Sequence, residues 1–188
     1  MDARQLRTRA RLARAILDLA AVKAVADITV SELATMAQIN RSTFYEHSDS
    51  PTTLLRSTLR DELDVIRDRN LTNPTDVTAS VRSATLDVLT HVDSHAEIYS
   101  RALGHEDAGE LHSMLSAHFE RSVRLLLDHG TVEIPAPASE FTRASVARFI
   151  ADGTVGAIDV WLHTPAPRTP DDFLASYRTV MPGWWPLG

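Results

Sequence analysis

Within seven residues the chain places Arg41, Ser42, Thr43, Tyr45 and His47, all of them side chains that can donate a hydrogen bond. A guanidinium can grip a planar acceptor pair such as guanine O6 and N7, and hydroxyls can serve base edges or phosphate oxygens. Upstream, five arginines fall between Arg4 and Arg14 against a single acid, Asp2, a density suited to an anionic partner. A different chemistry is suggested further on by His91 and His95 at i, i+4 spacing, by His105-Glu106 ahead of His112, and by His118. Paired imidazoles can share a metal, but the chain has no cysteine and no third ligand at tight spacing, so neither a metal site nor a cofactor is expected. No glycine-rich phosphate loop, nucleophile elbow or paired His-Glu helix motif is present. No catalytic residue is assigned, and the chain is not expected to be an enzyme.

The elements that carry these groups are helical throughout. Ala13, Ile16, Leu17 and Ala20 recur at helical spacing in a first segment of about residues 4–23. A second segment lies at about 30–37, a third at about 41–47, and a long fourth at about 51–69 with Leu55, Leu59, Leu63 and Ile66 on one stripe. Val77 to Val92 make a fifth, short and long segments around Ile98 and around Leu111 to Leu126 a sixth and seventh, Phe141 to Leu162 a long eighth, and Thr169 to Tyr177 a last one. The stretch from His129 to Glu140, with its two prolines, reads as loop. The expected class is all-α, with no strand alternation and no internal repeat.

Local chemistry fixes the starts of the short helices. Thr29-Val30-Ser31-Glu32 is a capping box, flanked by Ile28 and Leu33 as a hydrophobic staple. Asn40 is placed to cap the third helix, and Ser50-Pro51 supplies cap and first-turn proline for the fourth. Each start stops the helix before it, leaving Gln38-Ile39 as a turn. Leu33, Ala34, Ala37, Ile39 and Phe44 then face inward, and the polar set from Arg41 to His47 faces out on a helix that fits a major groove.

The overall charge of −6 hides an uneven distribution. Residues 1–50 sum to +1 and residues 51–188 to −7, so only the N-terminal part suits phosphate. No run of about 18 apolar residues is present to span a bilayer, and the charged N-terminus lacks the apolar core of a signal peptide. With no cysteine, a cytoplasmic protein without a membrane partner is expected.

The stretch TVSELATMAQINRSTFYEHSDSPTTLL, preceded by an arginine-rich amphipathic helix and followed by a long helical remainder, resembles the TetR family of bacterial transcriptional regulators. The resemblance covers roughly residues 8–55. It implies a three-helix helix-turn-helix DNA-binding domain over 1–50, the fourth helix at 51–69 as connector, and a helical effector-binding and dimerisation domain over 70–188. It further implies that Thr29, Tyr45 and His47 contact phosphate of double-stranded DNA, with Arg41, Ser42 and Thr43 in or near the groove. Arg7 and Arg9 of the basic arm join them on the backbone. Three positions depart from the pattern: Gln38 stands where the turn usually has glycine, Ser48 where an aromatic follows the histidine, and Pro51 where a lysine opens the fourth helix.

For the C-terminal part, a homodimer reading an inverted repeat places two recognition helices about 34–36 Å apart. Phe149, Gly153, Gly156, Trp161, Phe173 and Tyr177 on the last two long helices are the expected interface. Aromatic area and close-packing glycines motivate that choice, the alternative being that the glycines face a helix of the same chain. His95, Tyr99, Met114, His118 and Phe119 are the expected lining of a cavity for an unidentified small-molecule effector, with His118 also compatible with a satisfied core histidine. In the mechanism the resemblance implies, ligand displaces the fourth helix and a repressor leaves its operator. The alternative is a ligand-responsive interaction protein that no longer binds DNA specifically.

Overall fold

The computed structural model describes residues 3–103, 109–135 and 139–187, and among them every regular element is a helix. His105 and Glu106 lie outside the described residues. The chain divides into two compact units, Met1–Asp61 and Glu62–Gly188, with the boundary inside one helix.

The first unit holds α1 (Ala3–Val22), a short 3₁₀ turn (Val25–Asp27), α2 (Val30–Met36), α3 (Arg41–Tyr45) and the first half of α4 (Pro51–Leu71). α2 starts at a complete capping box: the Glu32 amide donates to Thr29 Oγ1 at 3.2 Å, and the Thr29 amide donates to Glu32 Oε2 at 2.8 Å. The turn after α2 closes as a Schellman motif, with the Gln38 amide donating to the Thr35 carbonyl at 3.1 Å and the Ile39 amide to Ala34 at 2.9 Å. That geometry forces Gln38 to φ 54°, a left-handed conformation that costs a non-glycine residue about 1 kcal/mol. Leu12, Ile16, Leu33, Ala34, Ala37 and Phe44 are buried beneath the turn. Ile39 is only half-buried, less inward than its apolar character suggests. α4 opens as expected, with the Thr53 amide donating to Ser50 Oγ at 3.1 Å ahead of Pro51. Asn40 occupies the N-cap position of α3, but its side chain makes no capping bond.

The second unit comprises the rest of α4, α5 (Val77–Ser94), α6 (Ala96–Leu103), α7 (Gly109–Asp128), α8 (Glu140–Leu162) and α9 (Pro170–Val180). Asp76 caps α5 through the Ala79 amide at 3.0 Å, Ser139 caps α8 through Thr142 at 3.1 Å, and Thr169 with Asp172 forms a capping box on α9. α7 and α8 make the most extensive helix pair, around Leu115, Leu126, Ala147, Ala151 and Ile158. The C-terminal tail folds back so that Trp185 and Leu187 are buried. No helix of the described residues is long and apolar enough to cross a membrane.

Candidate functional site

In the first unit α3 turns its polar side outward. Arg41, Ser42 and Tyr45 are exposed and Thr43 and His47 half-exposed, while Phe44 is fully buried and holds Tyr45 edge-on at 5.4 Å between ring centres. Beside this face lies a cleft of about 420 Å³, walled by Arg4, Arg7 and Arg11 of α1 and by Gln38, Asn40 and Thr43. The three arginines follow i, i+3, i+7 spacing, which brings them to one face of α1. Asn40, whose side chain makes no capping bond, is part of the wall of this basic cleft. Among the described residues no carboxylate pairs with Arg7, Arg11 or Arg41.

Two residues expected on phosphate are otherwise engaged. Arg9 lies two positions from Arg7, hence on the far side of α1, and its guanidinium pairs with Asp61. The Thr29 hydroxyl donates to Glu32 Oε2 at 2.8 Å while accepting from the Glu32 amide, so its one O–H donor is used within the cap. Lys23, at 2.6 Å, holds the Glu32 carboxyl down to about 2, aided by the bonds from Thr29, so the carboxylate stays ionised and paired with the ammonium. Arg11, which takes Arg9's place at the cleft, is found by asking which arginines share a helical face.

In the second unit a largely apolar cavity lies between α4, α5, α7, α8 and α9, with Trp185 and Leu187 of the tail in its wall. His118 and Phe119 line it as expected, together with Ile66, Arg67 and Leu71 of α4. His95, Tyr99 and Met114 are not among its walls. Met114 is buried elsewhere on α7, and His95 and Tyr99 belong to a separate polar cluster. Its room is about 80 Å³, well below the ~300–1,000 Å³ of sites for drug-sized ligands.

The polar corner of this cavity is a linked group. His118 Nδ1 lies 3.1 Å from Asp64 Oδ1, and Arg67 Nη1 donates to the same oxygen at 2.6 Å. Burial pushes the Asp64 carboxyl up, but the His118 bond and the charges of Arg67 and Arg121 outweigh it and bring it below its ordinary value. Burial holds the His118 imidazole down to about 4 against those same carboxylate contacts. A neutral ring facing an ionised acceptor carries its proton on Nδ1, which leaves Nε2 as an acceptor.

The separate cluster joins Glu62 of α4, His91 of α5, His95 at the end of α5 and Tyr99 of α6. His95 Nε2 and His91 Nδ1 approach Glu62 Oε2 at 3.2 Å and 3.4 Å, and His91 Nε2 lies 2.8 Å from Tyr99 Oη. The His95 bond holds the Glu62 carboxyl below its ordinary value, and burial holds the His91 imidazole down to about 4. Glu62 brings a third donor atom that the sequence spacing alone lacks.

Comparison of the folded chain with solved structures gives consistent relatives. It superposes on the dihydroxyacetone kinase operon activator DhaS with TM-score 0.67 at 15% identity, covering 92% of this chain and 93% of that one. A TetR-family transcriptional regulator from Streptomyces coelicolor gives 0.63 at 19% identity over 93% and 81% of the two chains. The chain has the fold of the TetR-family regulators. RolR without ligand matches similarly, with TM-score 0.60 at 19% identity over 95% and 93%. No protein-family model and no curated protein matches the sequence itself. Within that fold α2 and α3 form the helix-turn-helix.

The expected dimer surface is split by the structure. Phe149, Gly153 and Gly156 are exposed on α8, whereas Trp161, Phe173 and Tyr177 are buried within their own chain, a correction to the expected interface. Phe173 stacks on Tyr177 at 5.2 Å and meets Trp161 edge-on at 6.0 Å, and the Tyr177 hydroxyl bonds Thr154. Their aromatic area is consumed in the core under α9.

Proposed function

We propose that the chain is a homodimeric DNA-binding transcriptional repressor that an effector of low polarity releases from an inverted-repeat operator. The observation that carries the DNA-binding reading is the basic cleft of Arg4, Arg7 and Arg11 beside the outward polar face of α3. Arg7 and Arg11 bind backbone phosphate there, and the salt-dependent part of the affinity resides in them. Arg41, Ser42 and Thr43 read the groove, and Tyr45 and His47 steady the helix on the backbone.

The dimer reading rests on α8. Phe149, Gly153, Gly156 and Val160 follow i, i+4, i+7, i+11 spacing, and Phe149 and Val160 are 73% and 70% exposed. The opposite side of the same helix buries Ile150, Val155 and Ile158 in its own chain. A helix that carries apolar residues on two opposite sides calls for a partner on both. A Cβ added at either glycine meets nothing within 4 Å, so packing within the chain does not require glycine there. Close approach of a second copy supplies a reason for it.

The effector reading rests on the cavity. Its walls suit an apolar molecule, and His118 Nε2 offers one acceptor to a ligand hydroxyl or amine. Because about 80 Å³ holds only a few heavy atoms, a larger ligand is taken wholly inside only if the walls, of which α4 is one, move. α4 continues without a break to Pro51. A ligand that binds better to the displaced arrangement shifts the population toward it, and a factor of about 10⁴ between the two states suffices to reverse a 99:1 ratio.

The decisive experiment passes sheared genomic DNA over the tagged protein at near-physiological salt and sequences what is retained. An enriched inverted repeat is expected, and Arg41→Ala should lose about 1–3 kcal/mol of discrimination against scrambled DNA. Sequence-independent retention by the intact protein would favour an interaction protein without a specific DNA site. One matched structure is an operon activator, so a promoter fusion with and without the protein reads the sign of regulation.

A further inference from the structure

The geometry points to a transition-metal site of the zinc(II) class formed by Glu62 Oε2, His91 Nδ1 and His95 Nε2. These three atoms lie within 4.8 Å of one another and come from α4, α5 and the residue that ends α5. Zinc bonds of about 2.0–2.1 Å to nitrogen and oxygen put neighbouring donors of a tetrahedral site about 3.4 Å apart. The two separations to Glu62 Oε2 are 3.2 Å and 3.4 Å. Both separations to Glu62 thus match a tetrahedral edge, and the His91–His95 separation, within 4.8 Å, closes onto an ion by a small turn of the imidazoles.

Donor type narrows the ion. Two imidazoles and one carboxylate suit zinc, cobalt, nickel or copper, whereas magnesium and calcium prefer oxygen alone. Glu62 keeps 41% of its side chain exposed, which leaves a solvent side for a water ligand, while His91 is 7% exposed and shielded. Tyr99 supplies the outer support. Its hydroxyl, in a fully buried side chain, lies 2.8 Å from His91 Nε2, so Nε2–H can donate to it while the Nδ1 lone pair turns to the metal. The competing description is a hydrogen-bonded cluster in which His95 donates to Glu62 and no ion enters.

The site is separate from the DNA-binding reading, since all four residues lie within Glu62–Gly188. Chelator-stripped, full-length protein is titrated with Zn(II), and with Co(II) to read coordination from its visible absorption. One equivalent per chain is expected, with a rise of several degrees in the unfolding temperature of the Glu62–Gly188 unit. Glu62→Gln and His95→Gln, both at partly exposed positions, should each bind at least tenfold more weakly. Tyr99→Phe should lose about 10–100-fold while keeping one equivalent, the behaviour of a positioning residue. His163→Ala, at the exposed His163–Asp159 pair, should bind as the unaltered chain does. No uptake by the unaltered protein at micromolar metal, or undiminished binding by correctly folded Glu62→Gln and His95→Gln, would overturn the site in favour of the hydrogen-bonded cluster.

Discussion

Acid should weaken the Glu62–Gly188 unit through His118, by an amount that its surroundings define. The imidazole titrates near 6.5 when free and at about 4 in the fold, because burial disfavours its charged form. Between those values the unfolded chain holds a proton that the native chain does not, so stability falls as pH falls from about 6.5 toward 4 and is fully present above 6.5. Lowering the pH from 7 to 5 removes about 2 kcal/mol on this account. Asp64 does not confuse that window, since its carboxyl is held below 3.8 and its own contribution is lost only at lower pH. The assay is urea unfolding at both pH values with chelator present, comparing the unaltered chain with His118→Asn. All three tryptophans, Trp161, Trp184 and Trp185, belong to this unit, so their fluorescence reports its unfolding. His91, also held at about 4 and chiefly by burial, acts in both proteins, so its burial contributes alike to each. The unaltered chain should lose about 2 kcal/mol more than the variant between pH 7 and 5. Equal losses, or a His118 ring resonance that titrates near its ordinary value, would refute the assignment of a buried neutral imidazole.

Replacing Arg7 and Arg11 together by alanine should weaken binding to all DNA sequences alike and lower the slope of log affinity against log salt by about 2, whereas Arg9→Ala should change it by less than about 0.5 because Arg9 is paired with Asp61. Fluorescence anisotropy across a salt series reads both. Gln38→Val should destabilise the first unit by about 1–2 kcal/mol more than Gln38→Asn, since a β-branched side chain tolerates φ 54° poorly. Circular dichroism melts test it, and equal melts would mean that the turn relaxes. Phe149→Asp should convert a dimer to a folded monomer in sedimentation velocity, because the ring is 73% exposed and the chain's own core does not use it. A variant that sediments with the unaltered protein would remove α8 from the interface.

The helix starts were legible because each depends on residues within four positions. Thr29 with Glu32, Ser50 with Thr53, and Thr169 with Asp172 close bonds that spacing alone predicts. Asn40 has the right backbone for a cap, yet its side chain makes no capping bond and lines the cleft beside α1. The choice between Arg9 and Arg11 was also within reach. Arg4, Arg7 and Arg11 share a helical face, and Arg9 does not.

Beyond such local geometry the sequence loses its hold where two sides of a helix are alike. α8 is apolar on both, so hydrophobicity offers no contrast between a surface that meets its own chain and one that meets another. Trp161 faces inward and Phe149 outward, and only the paths of α7 and α9 decide which. The histidine cluster shows the same dependence on tertiary placement. Glu62 precedes His91 by nearly thirty residues, and the intervening α4–α5 turn brings them within 3.4 Å. Two histidines one helical turn apart commit the chain to no ligand set until a third group arrives from another helix. A change in α4 register would therefore disrupt the cluster while leaving His91 and His95 where they are.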